Sequence, residues 1–281
     1  MQEPRDTRQI VRNLPRLVLR VGVTGHRPNG LTQADPMLLC ARLDSILRDI
    51  SAAAAQAQRE YRAVFAPGAP VCRLVSALAD GSDRIVAERA MRVGYELQCP
   101  LPFAREEYAR DFADDASRSQ FANLLARAIA VLELDGLRAD PDAAYEHAGR
   151  VMLWQSDIVI GIWNGKAAGG RGGIAQMVRE ATAFGIPVIW VHSCAPHACT
   201  LLVKGDTGSE TTELSASSVS NEVRRTLASD LESDAWVEVE GHSRNAQGLS
   251  QPQSAFPGDS AGLWRPLRPD RSRIAPDRRD H

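Results

Sequence analysis

The sequence predicts an α/β fold: a doubly wound, mostly parallel sheet of about six strands, Rossmann-like, followed by a largely irregular C-terminal tail. Three observations predict it. Short apolar runs rich in β-branched residues alternate with longer stretches whose apolar residues recur at helical spacing. Each helical stretch lies between two such runs, where a parallel sheet needs a crossover. Glycine-bearing loops follow three of the strands, at Gly25, Gly81 and Gly169 to Gly173. In a parallel sheet these loops share one edge, beyond the carboxyl ends of the strands, where such sheets bind ligands.

After a polar lead-in over residues 1–15, the predicted domain covers 16–193. Leu17 to Val23 reads as a buried strand that delivers Thr24-Gly25-His26-Arg27 into a loop. Asp35 is placed to cap a helix with Pro36 at its first position, and Leu39, Leu43, Ile46, Leu47 and Ile50 mark its buried face. Val71 to Val75 is the second strand, entering Ser76-Ala77-Leu78-Ala79-Asp80-Gly81-Ser82-Asp83 and a helix that Gly94 ends. Glu96 to Leu101 is the third, stopped by Pro102, and two helical stretches follow, Glu106 to Phe112 and Ser117 to Ala128. Val131 to Leu134 makes a short fourth strand, and Asp142 to Trp154 a further helix.

The stretch from Asp157 to Trp190 carries the densest signal. An apolar run to Trp163 meets Asn164 to Gly173, with five glycines in ten residues. A helix with Ile174, Met177, Val178 and Ala181 on one face follows, then a strand from Pro187. Glycines at the mouth of a helix let phosphate oxygens approach backbone N–H groups, and the helix N-terminus favours negative charge. A phosphate-bearing ligand is the expected occupant.

Periodicity fades after about Cys194. Residues 194–240 are expected to add one helix, striped by Val219, Val223, Leu227 and Leu231, and an edge strand at Trp236 to Val239. Residues 241–281 are expected to be disordered, having too little apolar surface to offset chain entropy.

Composition narrows the function. Apolar residues make up 44% of the 281, enough for a core, but aromatics are only 5% and the net charge is −2. Binding along a polyanion wants concentrated Lys and Arg, so DNA is not the expected partner. No run of about eighteen apolar residues offers a membrane span. Met1 to Arg16 lacks an apolar signal core, and five scattered cysteines fit a reducing cytoplasm, so a cytoplasmic protein is expected.

At the loops the sequence resembles the SLOG superfamily, the Rossmann-like group that contains DNA-processing protein A and the LOG phosphoribohydrolases. Ser76 to Asp83 is similar to the processing-protein signature Ser-Gly-x-Ala-x-Gly-Ile-Asp. Gly169-Gly170-Arg171-Gly172-Gly173-Ile174-Ala175-Gln176 resembles the LOG pattern Gly-Gly-x-Gly-Thr-x-x-Glu. Val23 to Arg27 fits the first-strand loop of the same group, and the likeness runs from about Leu17 to His192. The resemblance implies a pocket for a nucleotide or a nucleotide-derived ligand and, as in relatives from bacterial conflict systems, a sensor for a linked effector. Two positions depart from the LOG pattern: its threonine is Gly173 and its glutamate is Gln176. An amide cannot stabilise developing positive charge as a carboxylate does, although it can hydrogen-bond a ribose or phosphate. Glu180, one turn beyond Gln176, is the other candidate for a catalytic carboxylate.

Within this frame the Gly169, Gly170, Arg171, Gly172, Gly173 loop is expected to hold phosphate, with Gln176 beside it. Arg27 would supply charge, with Thr24, Gly25 and His26 around it. Gly81, Ser82 and Asp83 would border the ribose, with Ser76 and Arg84 also in the ligand set. Asp83 is expected first to cap its helix, which does not prevent its accepting a ribose hydroxyl, and the alternative for Arg84 is a surface ion pair. His26 is expected to hydrogen-bond its own loop rather than act as an acid or base. Asn164 ends the fifth strand at the site, and Trp163 is expected to pack rather than stack. His192-x-Cys194-x-x-His197-x-Cys199 is not a common zinc spacing, and no metal site is expected. The expected partners are therefore a nucleotide-derived small molecule, an effector protein and further copies of the chain in a homo-oligomer, with no separate cofactor. The reading is a ligand sensor. Its rivals are an N-ribosyl hydrolase or transferase of the LOG or deoxyribosyltransferase type, and single-stranded DNA binding as in DNA-processing protein A.

Overall fold

The computed structural model describes residues 14–166, 172–205, 208–232, 237–239 and 242–244. Its centre is β1 (Val18–Gly25), which pairs in parallel with β2 (Val71–Val75) on one side and β5 (Ile158–Trp163) on the other. Outward from β2 lie β3 (Glu96–Leu101) and β4 (Ala130–Glu133); outward from β5 lies β6 (Val188–His192). These six strands are parallel, and the order reverses between β1 and β5. That reversal is where a doubly wound sheet opens a crevice.

The connecting helices are α1 (Pro36–Glu60), α2 (Ser82–Arg92), α3 (Arg105–Tyr108), α4 (Asp115–Leu125), α5 (Pro141–Trp154) and α6 (Ile174–Ala183). Asp35 caps α1, its Oδ1 accepting the Met37 and Leu38 N–H groups at 3.0 Å each. The stretch read as a helix from Glu106 to Phe112 is shorter. After Tyr108 it tightens into a 3-10 turn over Ala109–Asp111.

Strand β5 shows why the sheet is covered on both faces. Ile158, Ile160 and Ile162 join a cluster with α1, α2 and α4, while Val159 joins a second cluster with Met152, Met177 and Val178 of α5 and α6. All four β5 side chains are 0 or 1% exposed. A run buried on both faces shows no alternation, as its sequence does not.

Two strands extend the sheet beyond what periodicity signals. β7 (Cys199–Gly205) and β8 (Gly208–Glu213) add to β6 in antiparallel register, making eight strands in all. β8 reads Gly-Ser-Glu-Thr-Thr-Glu; Ser209 to Glu213 are exposed, so no apolar alternation marks the strand. α7 (Ala216–Glu232) follows and lays Val219, Val223 and Leu227 into the α1 cluster. Val237–Val239 is not an edge of the main sheet: it pairs with His242–Arg244 in a separate two-stranded ribbon. His242–Arg244 thus forms a strand within the stretch expected to be disordered, and the rest of that stretch, residues 241 and 245–281, lies outside the described residues. Among the described residues no helix is long and apolar enough to cross a membrane, and all five cysteines are free thiols.

Candidate functional site

A cavity of about 580 Å³ opens at the reversal point, between the loops that follow β1 and β5. Its volume falls within the range of small-molecule sites. Thr24, Gly25, His26, Arg27, Asp83, Asn164, Gly172 and Gly173 line it, so all three predicted loops contribute. Gly169, Gly170 and Arg171 lie outside the described residues.

The loops are locked together by their backbones. The His26 N–H donates to the Ile162 carbonyl at 3.0 Å, and the Asn164 N–H donates to His26 Nε2 at 3.3 Å. The imidazole thus joins the β1 and β5 loops. The His26 carbonyl in turn accepts from the Ser82 N–H and from its hydroxyl, at 3.0 and 2.9 Å. This contact draws the start of α2 against the β1 loop and explains Gly81. At φ +96° a Cβ there would lie 2.6 Å from the His26 carbonyl oxygen. A Cβ on Gly25 would likewise sit 2.3 Å from that of Ser82.

Asp83 forms part of the cavity wall in the first turn of α2 and is only 6% exposed. Its carboxylate accepts the Ser76 hydroxyl at 3.3 Å and the Ala79 backbone. Ser76 is itself oriented by the Leu78 N–H, which it accepts at 3.0 Å. Leu78 is fully buried in the left-handed region at φ +55°, an unfavourable conformation for a leucine. Burial pushes the Asp83 carboxyl up to about 7, against the pull of Arg27. The Arg27 guanidinium lies 5.8 Å from the centre of the Tyr145 ring, and among the described residues it makes no ion pair or hydrogen bond.

Other predicted residues stand outside the cavity lining. Arg84 is 1% exposed. Its Nε donates to the Leu78 carbonyl at 3.0 Å, and Nη1 to Ser117 and Gln120. Its plane lies 4.1 Å from the Phe112 ring centre and its charge 3.6 Å from Asp80. It is a strut between α2 and α4, because a buried guanidinium must be paired. Ser76, Gly81 and Ser82 likewise shape the lining from behind. Gln176 accepts the Gly172 N–H at 2.9 Å and donates to Glu146 and Glu180, both at 2.8 Å. Glu180 is held by Arg150 at 3.0 Å through both oxygens. Burial tends to raise its pKa, but the Arg150 and Gln176 hydrogen bonds keep it below the usual range. Neither candidate catalytic residue lines the cavity; both belong to a network that fastens the glycine loop to α5.

The aromatic wall was not signalled by any motif. Tyr108 and Tyr145 line the cavity, with Met152, Met177 and Trp163 forming its apolar side. Burial raises both phenols, and the hydrogen bond that Tyr145 donates to Asp111 adds to its shift, to about 12. Tyr108 ends the short α3 that follows β3, so topology places it at the carboxyl edge of the sheet. Trp163 does pack, 5.5 Å from the Trp190 ring centre, while one face borders the cavity. His197 is fully buried; its ring accepts the Asp35 N–H at 3.1 Å and contacts the His192 carbonyl at 2.9 Å. Among the described residues no group of three or more metal-ligating side chains converges.

No protein-family model matches the chain, and no curated protein matches it in sequence. Solved structures similar to it include TM1055, a structural-genomics target, at 17% identity and a TM-score of 0.35 over 61% of this chain and 72% of that one. They also include DNA processing protein A from Helicobacter pylori, described for its single-stranded DNA binding mode. It is 15% identical, with a TM-score of 0.39 over 75% of this chain and 81% of its own.

Proposed function

We propose that the chain binds a nucleotide or nucleotide-derived small molecule in the cavity between the β1 and β5 loops and acts as a sensor or regulatory module. One observation carries the reading. A guanidinium with no ion-pair partner among the described residues, Arg27, shares a cavity with an apolar wall of Met152, Met177 and Trp163. An anionic group beside Arg27 and a flat apolar body against that wall would satisfy both halves. The N-terminus of α6, at Gly173 and Ile174, opens on the same space and favours negative charge.

The test is native mass spectrometry of the purified protein for a co-purified nucleotide, followed by titration calorimetry. Arg27→Glu is expected to weaken binding at least about tenfold, the scale of a lost charge-assisted hydrogen bond. A folded Arg27→Glu protein with undiminished affinity would remove Arg27, and the reading built on it. Cleavage of an N-ribosyl bond is the second reading. It draws on Asp83, the one carboxylate among the described cavity-lining residues. Steady release of free base from nucleoside monophosphates, lost in Asp83→Asn, would favour it over sensing.

A further inference from the structure

Asp83 and Arg27 face one cavity but are not equally committed. The other charged and titratable groups around Asp83 are Arg84 on its own helix, Tyr108 of α3 and Cys99 of β3. Cys99 and Tyr108 are neutral at ordinary pH, since burial raises both. Arg84 is held by Asp80, Ser117, Gln120 and the Leu78 carbonyl. Arg27, which shares the cavity lining with Asp83 and with the exposed Lys166, is therefore the cation near Asp83 whose side chain is left to hold an incoming anion. An anion held there brings a negative neighbour to Asp83, at a position only 6% exposed. Two hydrogen bonds, from Ser76 and Ala79, do not offset the repulsion between two negative groups at so buried a position. A neutral carboxylic acid resolves the conflict, because its O–H is a donor that an oxyanion can accept.

We propose that Asp83 binds the ligand's anionic group as a neutral carboxylic acid, donating a hydrogen bond to it while Arg27 supplies the positive charge. The inference rests on the reading of an anionic ligand in this cavity. Each ligand bound to an ionised carboxyl takes one proton from solvent, which is returned on release. The position of the ligand-free carboxyl, about 7, means that the proton is taken up across neutral and alkaline pH.

The probe is adenosine 5′-monophosphate, titrated by calorimetry at pH 7, 8 and 9 in buffers of different ionisation enthalpy. Its phosphate has a second pKa of about 6, so it is already dianionic in this window. The expected result is uptake that rises from about half a proton at pH 7 to about one at pH 8 and 9, with an affinity that falls toward about tenfold per pH unit above 7. Asp83→Asn, whose amide N–H can donate at any pH, is expected to bind with an affinity that is flat over the same window. Binding by the wild type without proton uptake would overturn the proposal while leaving the nucleotide reading intact. So would an Asp83→Asn variant that keeps the slope. Failure of the nucleotide to bind would count against the nucleotide reading instead. The carboxyl is then followed by carbon NMR against inorganic phosphate, and a midpoint that phosphate does not raise overturns the proposal.

Discussion

Gln176 stands where the resembled pattern carries a glutamate, and its surroundings require the amide. It accepts from the Gly172 N–H and donates to two carboxylates, Glu146 and Glu180, which share a single Arg150. A third carboxylate could accept from Gly172 but would lose both donations and face two like charges. Gln176→Glu is therefore expected to destabilise the protein by about 3 kcal/mol and to introduce no base release. Urea unfolding of the variant beside the wild type measures the first effect, and chromatography of a nucleotide incubation the second. The motif is legible in sequence, whereas the role of its last position is not. That role is set by Glu146, which reaches it across 30 residues of chain. The same holds for Arg84, whose neighbours come from α4.

At the scale of the element, strands buried on both faces and helices with one apolar stripe are the easiest to read. β2 and β3 keep the bounds their apolar runs suggest, and Asp35 and Gly94 stand at helix ends as their residue types demand. β8 escapes because an edge strand with exposed side chains has no pattern to give. α7 lies between these cases, with a thin stripe whose partner is α1. Leu227 is 5% exposed in that seam, flanked by the ion pair of Arg224 with Glu60 at 2.8 Å. Leu227→Ala is expected to cost about 2–4 kcal/mol, by lost burial and the cavity left behind. Arg224→Ala, at a half-exposed pair, is expected to cost less than about 1 kcal/mol. Thermal unfolding of the two variants separates packing from charge, and equal effects would show that α7 is held mainly by its ion pair.

For the whole molecule, Asp83 sets a pH dependence of unusual sign. Its folded carboxyl is raised to about 7, so between roughly pH 4 and 7 the folded state binds more protons than the unfolded chain. Stability is then expected to fall as pH rises through that window, by up to about 4 kcal/mol in the ligand-free protein. Asp44, Glu133 and Glu180 are depressed carboxylates and act in the opposite sense, but only where they titrate, below about pH 4.5. Denaturant midpoints at pH 5.5 and 8 are expected to show the loss in the wild type and a smaller one in Asp83→Asn. A wild-type protein more stable at pH 8 would mean that Asp83 ionises freely in the fold.

The central position of β1 also has a bearing on how the molecule comes into being. Arg20 meets Asp157 across 137 residues of chain, so β1 is made long before its β5 neighbour exists. At the usual pace of synthesis, about 5–20 residues per second, that interval is roughly 7–30 s. During it the apolar edge and face that β5 will occupy stand open, although β2 and α1 are already at hand. The cavity, which needs the ends of both strands, closes only after nearly the whole domain has been synthesised.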